Sequence, residues 1–391
     1  MQWSNRAMLN WLIESISDSG GIMKKLRKTK LGELVDFQTG PFGTQFSASE
    51  YVKEGIPVIN VKNIGIGMVV EENLDYISEQ TRDRLSQHIL KTGDIVFGRK
   101  GSVDKHAYIF KNENGWVQGS DCIRARKKTQ VNTLFLSQYL EGDGVKKQII
   151  NAAVGSTMPS LNTDILKDVI VLLPNIKEQN RISEALKKID DKICLNNKIN
   201  DNLEAQAEAI YNEMIANNST NGTMSTLGEI STIKTGKLNS EAAVINGIYP
   251  FFTCSQETYR TNTFSFDQEA VLLAGNNASA IYPLKIYCGK FDVYQRTYVI
   301  SSNNRFVSNK QLYFVLKQQL NEFKGISSGT TTKFLTMKIL TPIPVVIAPE
   351  DIATSFINIT NKIFETIFQN QREIEHLREL QMIVLGELSR D

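Results

Sequence analysis

The feature that most constrains this chain is an internal repeat. Leu31, Gly32 and Glu33, an apolar-rich stretch, then Thr39 and Gly40 return as Leu227, Gly228 and Glu229, then Thr235 and Gly236, an offset of 196. Further on, Gly155, Thr157, Leu161, Ile165, Leu166 and Val171 return as Gly329, Thr331, Leu335, Ile339, Leu340 and Val345, an offset of 174. One scaffold is written twice, and the second globular copy is about 22 residues shorter. Loop variation absorbs differences of that kind.

The offset of 174 runs on into two helical segments. Residues 178–217 contain neither Pro nor Gly. Ile182, Leu186, Ile189, Ile193, Asn196, Asn200, Leu203, Ala207, Ile210 and Met214 follow one another in alternating steps of four and three. Adding 174 gives Phe356, Thr360, Ile363, Ile367, Asn370, Ile374, Leu377, Gln381, Val384 and Leu388. Spacing of this kind over about five heptads predicts a coiled-coil seam, in which Asn residues such as Asn196 and Asn370 set register. The competing expectation is an ordinary amphipathic helix packed on its own domain. The first helix leads into the second copy and the second helix starts where that copy ends, so the simplest pairing is antiparallel. About 38 residues at 1.5 Å each give a rod of roughly 57 Å.

Short apolar runs punctuated by Gly and Pro predict strands at 55–61, 93–97, 107–110, 122–126 and 169–173, with helix pieces at 134–140 and 145–150. The second copy repeats the style, with strands at 270–274, 285–288 and 297–300 and a helix at 310–323. The expected fold is α+β: two similar domains with curved mixed sheets, joined by two long antiparallel coiled-coil helices in a pseudo-twofold. The expected boundaries are an N-terminal extension 1–23, domains 24–177 and 219–349, and helices 178–218 and 350–391. The first 22 residues carry Arg6, Glu14 and Asp18 and lack a continuous apolar segment, which does not read as a signal peptide. Met23 looks like a natural start, and the preceding stretch is either upstream of it or a short extra helix.

A net charge of +2 hides an uneven distribution. Residues 24–30 carry +5, residues 31–177 are neutral and residues 224–349 carry +5, while 178–218 and 350–391 carry −3 and −4. Within 91–128, nine Lys and Arg face four acids. A basic, Gly-containing segment suits phosphate contact, although a solvated surface has the same composition. No apolar run approaches the ~20 residues that span a bilayer. Cys122, Cys194, Cys254 and Cys288 form no CxxC pair, and only three histidines exist, so neither a zinc site nor a disulfide framework is expected and a reducing cytoplasm is.

Catalytic signatures are missing from the sequence. There is no P-loop, GxGxxG, HExxH or NPPY-type tetrapeptide. His88, His106 and His376 lie far apart in sequence and read as ordinary surface or core residues. The chain reads as a recognition component and not an enzyme.

Five stretches together resemble the specificity (S) subunits of type I restriction-modification systems. They are Leu31 to Glu33; Thr39 to Gly43 followed by Gly55 to Ile59; Thr92 to Ser102, which contains Arg99, Lys100 and Gly101; the Gly155 and Thr157 segment; and Pro174 to Gln179 entering the helix. The second copy departs from the pattern: Pro349, Glu350 and Asp351 lack the Gln, and Gly275, Asn276, Asn277 and Ala278 stand where the first copy has Arg99 to Ser102. The resemblance implies two target-recognition domains, each reading half of a bipartite site in double-stranded DNA. It implies helices that act as spacer and dock methyltransferase subunits, two being expected, with restriction subunits joining the assembly and no membrane involved. S-adenosylmethionine, ATP and Mg belong to those partners, and none is bound by this chain.

The residues favoured for DNA contact are Thr39, Thr44, Gln45, Lys62, Asn63, Arg99, Lys100, Ser102 and Lys105 in the first copy. In the second they are Lys234, Lys237, Asn276, Asn277, Gln295, Arg296 and Lys333. Arg reads guanine and Asn or Gln reads adenine in the major groove, while Lys and backbone amides hold phosphate. For any one of them the bland alternative is an exposed side chain or a turn residue. The main competing function is a coiled-coil scaffold with two protein-binding heads and no direct DNA role. A third is an enzyme with an unrecognised site.

Overall fold

The computed structural model describes residues 26–155, 159–218, 221–245, 247–277, 281–326 and 333–388. The extension 1–23 lies outside these residues, as do Thr157, Gly329 and Thr331 of the repeat and Ala278. The chain divides into two compact units, one holding residues up to Ile193 together with those from Glu375 onward, the other spanning Cys194–Ile374.

In the first unit a five-stranded sheet runs in the order Val35–Thr39, Cys122–Lys127, Ile95–Gly98, His106–Tyr108, Ile66–Gly67. A four-stranded sheet runs Tyr51–Val52, Asp75–Ile77, Ile56–Ile59, Val117–Gln118. Both are mixed: Ile66 pairs with His106 in parallel, as Val58 does with Val117. The second unit has one six-stranded sheet, ordered Ser231–Thr235, Thr297–Ser302, Phe266–Ala274, Leu284–Val293, Tyr249–Phe252, Thr258–Thr261. It too contains a parallel pair, Phe251 with Asp292. The α+β class with mixed sheets is therefore present in both copies.

Each copy is closed by the same joint. Arg27–Lys30 pairs antiparallel with Ile170–Leu173, and Thr223–Thr226 pairs with Pro344–Ile347. One turn of helix follows, Leu31–Leu34 or Leu227–Ile230. Its glutamate turns back onto a hydroxyl, Thr29 donating to Glu33 and Ser225 donating to Glu229, each at 2.7 Å. Gly32 lies where a β-carbon would come within 2.8 Å of the Lys167 β-carbon, and one on Gly228 would come within 2.9 Å of the Thr341 β-carbon. Gly32 maps to Gly228 at offset 196, and Lys167 maps to Thr341 at offset 174. The two offsets read from the sequence thus meet in one close contact, made twice.

The predicted helices at 134–140, 145–150 and 310–323 appear as Thr133–Leu140, Asp143–Ala152 and Asn309–Ile326. The long helices are Ile176–Asn218 and Glu350–Leu388. Asn175 begins the first by accepting from the Glu178 amide at 3.1 Å, just after Pro174. In the second unit Asn196 donates to Glu373 at 2.8 Å, Asn370 donates to Asn200 at 2.9 Å, and Tyr211 meets Phe356 with ring centroids 6.3 Å apart. Partner numbers fall as the first numbers rise, so the helices run antiparallel there. In the first unit Gln381 donates to Asp190.

The seam is buried as its period requires. Ile182, Leu186, Ile189, Asn196, Ile367 and Leu377 are buried, and Ile193, Leu203, Ile363 and Asn370 are half-buried. The two competing expectations for the helices turn out to be compatible. Ile182, Leu186 and Ile189 share a core with Leu377, Val384 and the first domain's Leu31, Phe135 and Val171. Ala207, Met214, Phe356 and Ile367 share another with Leu227, Phe314 and Val345. The seam is at once a helix–helix contact and part of each domain core.

Candidate nucleic-acid interface

Apart from Lys62 and Asn63, the favoured residues of the first unit lie at or beyond the ends of the strands Val35–Thr39 and Ile95–Gly98, which meet the start of Cys122–Lys127. Thr39 closes the first of these opposite Ile123, and the Gly40 amide donates to Cys122 at 2.9 Å. A β-carbon on Gly40 would overlap the Gly119 carbonyl, so only glycine fits this crossing. Thr44 and Gln45 follow in an exposed turn, Gly43–Gln45. Arg99 leaves its strand with its guanidinium 5.7 Å from the Phe42 ring, which brings the two loops together. Lys100 is exposed, with its ammonium 3.6 Å from Asp121. Ser102 is exposed, and its carbonyl accepts from the Lys105 amide at 3.2 Å in a tight turn.

Two expectations for this unit need correction. Asn63 is fully buried: its amide donates to Val70 at 3.0 Å and Glu72 at 3.1 Å and accepts from the Asn60 amide at 3.3 Å, so it braces a turn and has no surface to offer. Its neighbour Lys62 is exposed and paired with Asp75 at 2.8 Å. The basic run 124–128 is also partly internal, with Lys127 and Lys128 left exposed. Arg124 is buried and donates to the Gln87 carbonyl and the Gln38 side chain. Arg126 grips the buried Asp94 with two hydrogen bonds, and Lys128 pairs with Asp36 at 3.3 Å. Charge counted along the sequence overstated the basic surface, because the strand Cys122–Lys127 turns part of it inward.

The second unit repeats the arrangement with different side chains. Lys234 and Lys237 are exposed on and beyond the strand Ser231–Thr235. A β-carbon on Gly236 would overlap the Val293 carbonyl, as at Gly40. The Gln295 amide donates to Leu238 at 2.9 Å, and the Gly275 amide donates to Arg296 at 2.7 Å. Gln295 and Arg296 are exposed, and the Arg296 guanidinium lies 5.1 Å from the Phe334 ring. Asn276 pairs with Phe334 and Asn277 with Lys333 in a two-stranded ladder. These loops surround a cavity of about 480 Å³. Lys234, Lys237 and Arg296 make no ion pair among the described residues.

Register aligns the two sites residue by residue. The Arg99 amide donates to Asp121 and its carbonyl accepts from Leu161; the Gly275 amide donates to Arg296 and its carbonyl accepts from Leu335. Lys100 bridges to Ser160, as Asn276 pairs with Phe334. Lys100 therefore occupies the place of Asn276, and Asp121 that of Arg296.

Comparison with known proteins places this geometry in a family. The family model for the type I restriction modification DNA specificity domain matches twice, over residues 23–205 and 221–383. The chain belongs to this family. It is 25% identical over 212 residues to the specificity subunit of the type I restriction enzyme MjaVIII of Methanocaldococcus jannaschii, covering 51% of this chain and 47% of that one. It is 39% identical over 119 residues to the specificity subunit of the type I restriction enzyme EcoDI of Escherichia coli, covering 30% and 26%. The chain thus spans less than half the length of either relative in these matches. Among solved structures, a type I restriction-modification S subunit from M. genitalium shares the fold with TM-score 0.56 at 16% identity, covering 94% of this chain and 96% of that one.

Some residues at the specificity-domain rims escaped the sequence reading. Phe334, with Arg296 over its ring, carries no pattern of its own in the sequence, whereas Phe42, under Arg99, lies inside the Thr39 to Gly43 stretch. Asp121 belongs to the rim only because the strand Ile95–Gly98 ends beside it. Two of the three histidines, His88 and His106, are internal: His106 is buried with its ring 2.9 Å from the Ser137 hydroxyl, and burial pushes its pKa down to about 4. Burial also lowers the His88 pKa, with the nearby Arg124 adding to the effect. No group of three or more His, Cys, Asp or Glu is placed to hold a metal ion among the described residues. No described helix is long and apolar enough to cross a membrane.

Proposed function

We propose that this chain is the DNA sequence-specificity subunit of a type I restriction-modification complex. Each compact unit reads one half of a bipartite site in double-stranded DNA. The paired long helices set the spacing and offer the docking surface for methyltransferase subunits, two in the full assembly, to which restriction subunits add. The chain is non-catalytic and works in the cytoplasm. S-adenosylmethionine, ATP and Mg are used by its partners.

One observation carries this reading. The two units keep the same close joints, Gly32 on Lys167 and Gly228 on Thr341, while equivalent rim positions differ in chemistry: Lys100 against Asn276, and Asp121 against Arg296. A scaffold that presents two different contact sets from one skeleton suits two different half-sites. The exposed cations Lys234, Lys237 and Arg296 suit phosphate or guanine contact.

The test is selection from a random DNA library by the chain purified with its methyltransferase partner. Enrichment of two fixed half-sites at constant separation is expected. Lengthening both long helices equally should alter the separation and leave the half-sites unchanged. No selective enrichment would overturn the reading.

A further inference from the structure

A tight turn in the first unit brings a carboxylate to the rim. Gly119, Ser120 and Asp121 turn between two strands, closed by the Cys122 amide donating to Gly119 at 3.3 Å. Gln118, fully buried, holds the turn by donating to the Gln38 and Cys122 carbonyls at 2.9 Å each. The Arg99 amide donates to the Asp121 carbonyl at 2.8 Å, and the Gly119 carbonyl fills the space a β-carbon on Gly40 would need. Asp121 is thus fixed in backbone and exposed in side chain, its carboxylate 3.6 Å from the Lys100 ammonium.

A carboxylate finds few partners on duplex DNA. Phosphates repel it, and the donors open to it are the amino groups on base edges, cytosine N4 and adenine N6 in the major groove. We propose that Asp121 and Lys100 together read one G·C pair of the first half-site from the major groove. Asp121 accepts from cytosine N4, and Lys100 donates to guanine O6 and N7. The proposal rests on the DNA-reading function above. The edge of a G·C pair presents two acceptors and then a donor. Guanine O6 and cytosine N4 are hydrogen-bonded to each other, so they lie about 2.9 Å apart. An ammonium and a carboxylate 3.6 Å apart can meet both at once. On an A·T pair the amino group lies between two acceptors, and the ammonium would meet only one of them. Because the turn is already fixed, little order is lost when the carboxylate engages.

The experiment uses the full chain with its methyltransferase partner and the site enriched from the library. Lys100→Ala and Asp121→Ala should relax the preference at the same G·C pair of one half-site, each by on the order of ten-fold. On unrelated DNA the two variants should differ in sign: Asp121→Ala binds more tightly, having lost a charge that phosphates repel, and Lys100→Ala more weakly. Replacing guanine N7 with carbon at that pair should weaken the unaltered chain and have little effect on Lys100→Ala. Hypoxanthine in place of guanine, which changes only the minor-groove edge, should bind as guanine does. Unchanged selection of the other half-site shows that both variants are folded. If the variants relax different positions, relax an A·T pair, or shift affinity equally on all sequences, the paired reading falls and the DNA-reading function stands. If no site is enriched at all, the DNA-reading function falls and the paired reading with it.

Discussion

Asn196, buried in the middle of the first long helix, donates a 2.8 Å hydrogen bond to Glu373 on the second. Its repeat mate Asn370 makes the reciprocal kind of contact, donating to Asn200 at 2.9 Å. A polar pair in an apolar seam stabilises less than leucines would, yet it fixes which residues face each other. A double-mutant cycle with Asn196→Ala and Glu373→Ala should return a coupling of roughly 0.5–3 kcal/mol in chemical unfolding. Strictly additive single effects would show that the bond contributes nothing. A seam with Asn196→Leu should hold its stability while losing uniqueness of register, visible as doubled resonances in NMR spectra.

Gly32 and Gly228 predict a matched pair of defects. Each faces a β-carbon of a neighbouring short helix, Lys167 or Thr341, at a distance no real β-carbon tolerates. Gly32→Ala and Gly228→Ala should each cost about 1–3 kcal/mol, because packed elements must move apart. The loss should appear in the unfolding of the unit that carries the change. A cost under about 0.5 kcal/mol in both would mean that the joint gives way easily.

These glycines also show how much the sequence disclosed. The repeat, the LGE joint, the helical seam and the principal strands were legible because each follows a local pattern or a fixed offset. Asn63, Arg124 and Arg126 were misleading for the opposite reason. Their partners Val70, Gln38 and Asp94 lie up to 86 residues away in sequence, and only the folded register shows that these polar groups are already satisfied. The rim was half legible. Arg99 and Lys100 stood out as charge next to glycine, whereas Asp121 became part of the site only through strand ends that meet in space.

A carboxyl of the first unit makes its stability depend on pH. Burial pushes the Glu141 pKa up to about 7, with Asp190 adding to the rise and Lys146 opposing it. The folded state therefore holds a proton that the unfolded chain releases from its ordinary value of 4.5 upward, so stability falls as pH rises from 4.5 to 7. His106 acts in the other direction. Its pKa drops from 6.5 to about 4 on folding, so its contribution is complete above 6.5 and is lost as pH falls towards 4. Glu141→Gln should stabilise the first unit at pH 8 by at most on the order of 3 kcal/mol and have little effect near pH 4. Urea unfolding at both pH values measures this. An equal effect at both would exclude titration as the cause.

Arg99 and Lys234 should fail in different ways when removed. Arg99 sits at the strand-end rim beside Phe42, positioned over the ring, which restricts its guanidinium to a narrow set of directions. Lys234 is exposed on the strand Ser231–Thr235, with its ammonium free to follow a charge. Arg99→Ala is expected to cost ~1–3 kcal/mol on the selected site and relax the preference at one position of the first half-site. Lys234→Ala is expected to weaken binding about equally on all sequences and to reduce the slope of log affinity against log salt by about 1. Bandshift titrations over a salt series, on the selected site and on single-base variants, separate the two. Uniform weakening by Arg99→Ala would assign that guanidinium to a phosphate, leaving base reading in the first unit to Lys100 and the exposed turn at Thr44 and Gln45.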